Sequence, residues 1–285
     1  MNVFLKRYKD MGHDIDPEKI TLRYVIRVNT LKISEDDLIA RLKKKKVRLE
    51  KIPFTDSGYW ADSEFSLSST AEYLHGYFYS QEAASQMPAI ALSPKKGESV
   101  LDMCAAPGSK TTQLAAMMQN HGTLIALDSN MSRISALRNN LERCGVRDCL
   151  VYHKDAIHVA DLGMEFDKIL LDAPCSGNFV TDPGWFDKRS LEGVQSMVKT
   201  QKALLKAAVN ILKPGGALVY STCSMEPEED EEVIEWALEN LPVKLIETGL
   251  KAGKPGTTPA TALCKRFWPD TEKTQGFFIA KMIRS

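Results

Sequence analysis

Two short segments carry residues able to do covalent chemistry: Asp172-Ala-Pro-Cys175-Ser-Gly177 and Ser221-Thr-Cys223-Ser224. Each follows an apolar run that reads as a strand, DKILLD and ALVY, so each thiol is expected in a loop at a strand's carboxyl end. Alone, either cysteine reads as a small apolar residue lining a pocket. Two at adjacent strand ends, beside a site for a methyl donor, suggest a reaction. Carbon 5 of a pyrimidine is a weak nucleophile, and a thiolate adding to carbon 6 makes it enolate-like and able to take a methyl group. Loss of the C5 proton then expels the sulfur. Asp172 and Lys110 are suited to absorb charge at N3 and O2 of the ring. The base must meet thiol and methyl donor together, so it is expected out of its stack or in a loop. Spacing leaves open which cysteine attacks.

The methyl-donor site is read from Leu101–Leu114, LDMCAAPGSKTTQL. An apolar strand runs into a loop of small residues and Gly108, then into a helix starting near Ser109. Small residues let the backbone approach a ligand, and free amides at the helix start favour a carboxylate. The loop has one glycine, after Pro107, so it is neither the three-glycine dinucleotide fingerprint nor a P-loop. With acids at Asp102 and at the end of the next strand, Asp128, S-adenosylmethionine is the better ligand. The alternative is an ordinary βα turn.

The elements that must position these loops alternate regularly. Strands are expected at 99–103, 123–128, 149–153, 167–172 and 216–221, with two more near 243–246 and 276–283. Helices are expected at 109–120, 131–143, 191–212 and 228–240. This predicts an α/β fold with a mostly parallel sheet of seven strands, covered on both faces. Ligands of such sheets sit beyond the strands' carboxyl ends. That rule brings Asp102–Lys110, Asp128, Asp155, Asp172–Gly177 and Ser221–Ser224 to one edge. In the tail, Phe267 and Trp268 are expected to pack on the sheet with Arg266 facing the active site. Phe277 and Phe278 should bury one ring on each face. The acidic run Glu226–Glu232 reads as a dipole-stabilised helix start, not a metal cluster.

Residues 1–80 read as a small α+β module, and 81–285 as the catalytic domain packed rigidly on it. Ile20–Leu31 suggests a strand. Ser34, with Asp37 three residues on, caps a helix over Glu35–Lys45. That helix ends in the basic run Arg41–Arg48, which suits both a solvated helix end and contact with phosphates. Trp60, Phe65 and Tyr73 are expected in the module's core. A helix over Gln81–Leu92 joins the two parts.

Composition sets bounds. Apolar content of 44% and charged content of 26% are those of an ordinary globular protein. No apolar run has the length of a membrane span and the N-terminus lacks a signal-peptide core, so a cytoplasmic protein without a membrane partner is expected. The six cysteines show neither framework spacing nor a CxxC pair, so reduced thiols and no metal are expected. Lys plus Arg and Asp plus Glu both total 37, so any RNA-binding surface must come from local segregation of charge.

Together, RVNTL at Arg27–Leu31, DMCAAPGSKT, DAPCSG, STCS and the closing RFWPD…GFFIAKM resemble the Sun (Fmu) family of RNA cytosine-5 methyltransferases over nearly the whole chain. Its short archaeal members acting on tRNA are the nearest in pattern. The resemblance implies a class I, Rossmann-like methyltransferase behind an RRM-like RNA-binding module, using S-adenosylmethionine to methylate cytosine C5. It implies Cys223 as nucleophile and Cys175 as the thiol that assists release, whereas DNA cytosine methyltransferases attack with the Pro-Cys thiol. It places Cys104, Ala105, Ala106, Pro107, Gly108, Ser109, Lys110, Asp128, Arg133, Asp155 and Asp172 around the cofactor. Asp128 would hold the ribose and Asp155 would read the adenine amino group. Read from the residues alone, Arg133 is a helix-face cation. The length leaves no room for the PUA or NusB-like domains of some relatives, so the expected substrate is tRNA. The alternatives are rRNA, or a non-catalytic RNA-binding factor that keeps the fold. A monomer is expected; the modified position and any protein partner are not written in the sequence.

Overall fold

The computed structural model describes residues 2–285. Helix α1 (Val3–Asp10) opens the chain. It is followed by β1 (Val25–Val28), α2 (Glu35–Lys44), β2 (Arg48–Lys51), β3 (Gly58–Asp62), α3 (Ala71–Leu74) and β4 (Phe78–Ser80). These strands form an antiparallel sheet in the order β2-β3-β1-β4, a split β-α-β unit. Ser34 caps α2 as its spacing predicts: its hydroxyl accepts the Asp37 amide at 3.2 Å and donates to the Asp37 carboxylate at 2.6 Å. The expected strand over Ile20–Leu31 contracts to four residues, because β3 and β4 supply ladder partners only there. Phe65 is not core: it lies in the loop after β3 and is 43% exposed, while Trp60 and Tyr73 are half-buried.

Alternation along β1 explains how this sheet is used. Ile26 and Val28 point into the cluster under α2, with Leu38, Leu42 and Phe78. Val25 and Arg27 point the other way. Val25 packs with Ile52 and Ala83, and the buried Arg27 guanidinium donates to Gln81 (2.7 Å), Thr112 (2.8 Å) and the Ser109 carbonyl (3.2 Å). Around β1 this face of the sheet is therefore closed against the second half of the chain. Helix α1 does not pack with the sheet. Its Phe4 and Tyr8 bury against Trp185, Val194, Met225 and Trp268.

The second half continues with α4 (Met87–Leu92), β5 (Ser99–Asp102), α5 (Ser109–Met118), β6 (Thr123–Asp128), α6 (Met131–Cys144), β7 (Cys149–His153) and β8 (Phe166–Asp172). Then come α7 (Trp185–Lys188), α8 (Leu191–Asn210), β9 (Leu212–Thr222), α9 (Glu231–Asn240), β10 (Val243–Ile246), β11 (Lys254–Pro255), β12 (Lys265–Phe267), α10 (Pro269–Glu272) and β13 (Phe277–Arg284). The helix expected over Gln81–Leu92 starts later, because Glu82 turns back to accept the Ala84 amide and only a 3-10 turn precedes α4. The sheet order is β11-β12-β13-β9-β8-β5-β6-β7, with β10 on the far end of β13. The strands β5 to β9 run parallel and β13 antiparallel to β9. All seven expected strands are present, and β11 and β12 extend the sheet to nine. Its two faces carry separate cores: Phe278 lies in the one with Leu101, Phe166 and Tyr220, and Phe277 in the other with Leu114, Val219 and Phe267. Among the described residues no helix is long and apolar enough to cross a membrane.

One expectation about a polar residue fails. Arg266 does not face the cavity at the strand ends. It is buried, donating to both Glu231 oxygens (2.7 and 2.6 Å) and to the Met225 carbonyl (3.1 Å), with Asp230 3.0 Å away. The run Glu226–Glu232 leads into α9 with Glu231 and Glu232 in its first turn, although the helix starts at Glu231 and not at 228, and Glu226, Glu229, Asp230 and Glu231 are all buried. Tyr8 donates to Glu226 at 2.7 Å, so α1 covers part of this run.

Candidate active site

The carboxyl ends of β5, β6, β8 and β9 open on a cavity of about 330 Å³. Cys104, Ala106, Asp128, Arg133, Asp155, Asp172, Cys175 and Cys223 line it, so eight residues singled out from the sequence converge here. Met103, Ile157, Thr200 and Leu204 add apolar wall and a hydroxyl. The remaining loop residues lie behind or beside it: Ala105 is buried, Pro107 is exposed, and Gly108 and Ser109 form the turn into α5. Gly108 has φ +104°, and a Cβ there would come within 2.9 Å of Leu137 Cδ1, so only glycine fits this turn. Asp102 is buried beneath the loop and accepts the Thr111 hydroxyl at 2.7 Å, outside the cavity. Burial raises its carboxyl to about 7.

The donor and acceptor set suits S-adenosylmethionine. Asp128 uses one oxygen to accept the Ala106 amide (3.1 Å) and the other the Asn130 amide (2.9 Å). Each oxygen keeps a lone pair, enough for two ribose hydroxyls. Arg133 stands 3.5 Å from Asp128 and donates to the Ala106 carbonyl, so this helix-face cation braces the loop. Asp155 caps the next turn through the Ile157 amide at 3.0 Å, and Ile157 offers an apolar surface for an adenine ring. Asp128→Ala should therefore weaken S-adenosylmethionine binding by roughly 10- to 100-fold, the worth of hydrogen bonds to a charged group. Calorimetric titration checks this, and wild-type affinity in the variant would remove Asp128 from the ribose site.

At the other end of the cavity the two thiols meet, with Cys175 Sγ and Cys223 Sγ 3.2 Å apart. Cys175 is held well above the usual thiol range by its hydrogen bond to Cys223 and by burial. Cys223 is pushed down by that same bond, with Lys110 helping and burial and Asp172 opposing. Either sulfur can donate in this contact, and the nearby Lys110 ammonium favours charge on Cys223. Beside them Lys110 Nζ donates to Asp172 (2.7 Å) and to the Ser85 hydroxyl (3.1 Å), while Ser221 donates to the other Asp172 oxygen (2.8 Å). Ser221 opens the thiol segment Ser221–Ser224 placed at this edge from the sequence but was given no role of its own, whereas Ser85 arrives from a turn 25 residues before Lys110 with no local signal.

The fold is that of the class I methyltransferases, and the cavity's donors and acceptors suit S-adenosylmethionine. The chain belongs to the RsmB/F family: the family described as 16S rRNA methyltransferase RsmB/F matches residues 89–283, and the N-terminal domain of 16S rRNA methyltransferase RsmF matches residues 6–83. Among curated relatives, the ribosomal RNA small subunit methyltransferase F of Vibrio cholerae is 41% identical over 273 residues, 92% of this chain and 57% of that one. Its namesake in Shewanella sediminis is 42% identical over 278 residues, covering 93% and 58%. The chain thus spans under two thirds of the length of these relatives. Among solved structures, a methyltransferase homolog protein from Pyrococcus horikoshii is 43% identical with a TM-score of 0.85, over 94% of this chain and 88% of that one. NSun6 from Pyrococcus horikoshii, solved with the S-adenosylmethionine analogue SFG, is 28% identical with a TM-score of 0.90, over 98% and 97%.

Proposed function

We propose that this chain methylates cytosine at carbon 5 in RNA, and that its substrate is small-subunit ribosomal RNA. The observation that carries the chemistry is the 3.2 Å thiol pair opening on the cofactor cavity. The substrate reading rests on the relatives, which are named for the small ribosomal subunit, and it takes precedence over the tRNA expected from the short chain. In this reading Cys223 adds to C6. Lys110, held by Asp172 and Ser85, stabilises charge developing on the ring as that bond forms. S-adenosylmethionine supplies the methyl group. Cys175 serves when the Cys223–C6 bond breaks. Asp128, Asp155, Arg133 and the Cys104–Lys110 loop hold the cofactor.

Residues 1–80 are assigned here as the RNA-contacting module. Its sheet is covered around β1, so stacking bases there is not available to it. Contact by α2 is the alternative, where Lys32, Arg41, Lys44 and Lys45 border an open groove with Tyr77. Arg41 and Lys45 each stand 3.6 Å from Glu72, which gathers them on one side. Such a groove suits a phosphate backbone and carries no base code.

The test is transfer of labelled methyl groups to unmodified small-subunit rRNA and to tRNA, followed by bisulfite sequencing. A protected cytosine in the rRNA is the expected result. A protected cytosine in tRNA alone restores the tRNA reading, and label without a protected cytosine rejects carbon 5. RNA binding with no label in either would favour a non-catalytic factor.

A further inference from the structure

The catalytic reading needs two thiols from different loops held at a fixed separation. Each is followed by a serine, Ser176 and Ser224, and both serines are buried. Their hydroxyls share one partner. Glu229 Oε2 accepts from Ser176 Oγ and from Ser224 Oγ, each at 2.5 Å. Glu229 Oε1 accepts the Ser176 amide at 2.9 Å and Gln201 Nε2 at 3.0 Å. Four donors fill the four acceptor sites of a carboxylate. Gln201 also donates to the Pro174 carbonyl at 3.0 Å, fixing the residue before Cys175. The Glu229 carbonyl in turn accepts Tyr220 Oη at 2.6 Å, which ties it to β9. The two serine oxygens lie 3.4 Å apart, in step with the sulfurs at 3.2 Å.

We propose that Glu229 is a positioning residue that sets the Cys175–Cys223 separation by clamping Ser176 and Ser224 to one buried carboxylate. This rests on the thiol-pair reading above. The clamp touches neither substrate nor cofactor and acts only through the cysteines it orients. A residue in an acidic run thereby becomes part of the catalytic architecture through the two loops it joins.

The experiment reads the separation directly, without RNA. Diamide takes up two thiol hydrogens and closes neighbouring cysteines into a disulfide, and mass spectrometry follows the Cys175–Cys223 bridge. Glu229→Ala should slow closure by about tenfold and lower kcat by about 100-fold, the cost of a displacement on the order of 1 Å, with S-adenosylmethionine affinity held within about twofold. Glu229→Gln should close at nearly the wild-type rate, because its amide oxygen still accepts both N–H donors and the serine hydroxyls can turn to accept from its NH2 group. If Glu229→Ala does not fold, the Ser176→Ala/Ser224→Ala double variant removes two of the four bonds and should slow closure in the same direction. Wild-type closure and kcat in a folded Glu229→Ala or double-serine variant would overturn the clamp. So would a Gln variant as slow to close as Ala, since keeping the bonds to both loops would then not hold the thiols together. A wild-type protein that closes its bridge yet methylates no RNA would refute the catalytic reading and leave the clamp standing.

Discussion

In a Cys223→Ala protein, methyl transfer to RNA should fall by roughly 10⁴-fold or more, the scale seen when a covalent nucleophile is removed. Cofactor binding should survive, because the groups proposed for the ribose and adenine, Asp128, Asp155 and Ile157, do not bond to this sulfur. Cys223 is chosen over Cys175 on the resemblance to the RNA cytosine-5 methyltransferases, and its surroundings agree. Burial holds Cys175 high, while the Lys110 ammonium favours charge on Cys223. A thiolate is the attacking form, and a neighbouring cation helps supply it. The measurement is single-turnover transfer of labelled methyl groups beside a cofactor titration. Appreciable turnover in this variant would sink the assignment, and a variant that instead accumulated covalent RNA would mean the two thiols exchange roles.

Much of the site was legible because its parts are local. Strand, small-residue loop and helix start follow one another within Leu101–Leu114, and the thiol loops directly follow their strands. The period-two and period-3.6 patterns therefore carried both fold and site. What the sequence hid depends on partners far along the chain. EPEEDEE reads as a dipole-stabilised helix start, and nothing local shows that Arg266, 35 residues after Glu231, and Tyr8, 218 residues before Glu226, are brought against it. Arg266 was expected at the active site because a cation in a motif suggests a ligand, but its carboxylate partners stand on a helix no local pattern links to it. The strands β11 and β12 were missed since two- and three-residue strands have no period to read. The covered face of the N-terminal sheet was equally invisible. Val25 and Arg27 alternate with Ile26 and Val28 as on any half-buried strand, and only docking of the loop before α5 reveals that both faces are closed.

Cys175→Ala should leave attack intact and impair departure. At the end of the reaction a water takes the C5 proton, the C5–H electrons form the C5=C6 bond and the Cys223–C6 pair leaves with the sulfur, which is best stabilised by a proton or a hydrogen bond. Cys175 Sγ, 3.2 Å from that sulfur and held protonated, is placed to give it. Without this group the methylated base stays joined to Cys223. Turnover should fall by about 10²- to 10⁴-fold, the usual worth of a placed acid or base, while the first turnover still transfers a methyl group. The accumulated species should survive denaturation, migrate above the free protein in a denaturing gel and disappear on ribonuclease treatment. A Cys175→Ala/Cys223→Ala double variant should not form it. If the single variant gives no such species and turns over normally, the close sulfur contact serves packing alone and another group completes elimination. If it gives none and transfers no methyl group at all, the contact is needed for attack, because it is the hydrogen bond from Cys175 that lowers the Cys223 thiol. Separating these outcomes requires counting methyl groups and adducts in the same reaction.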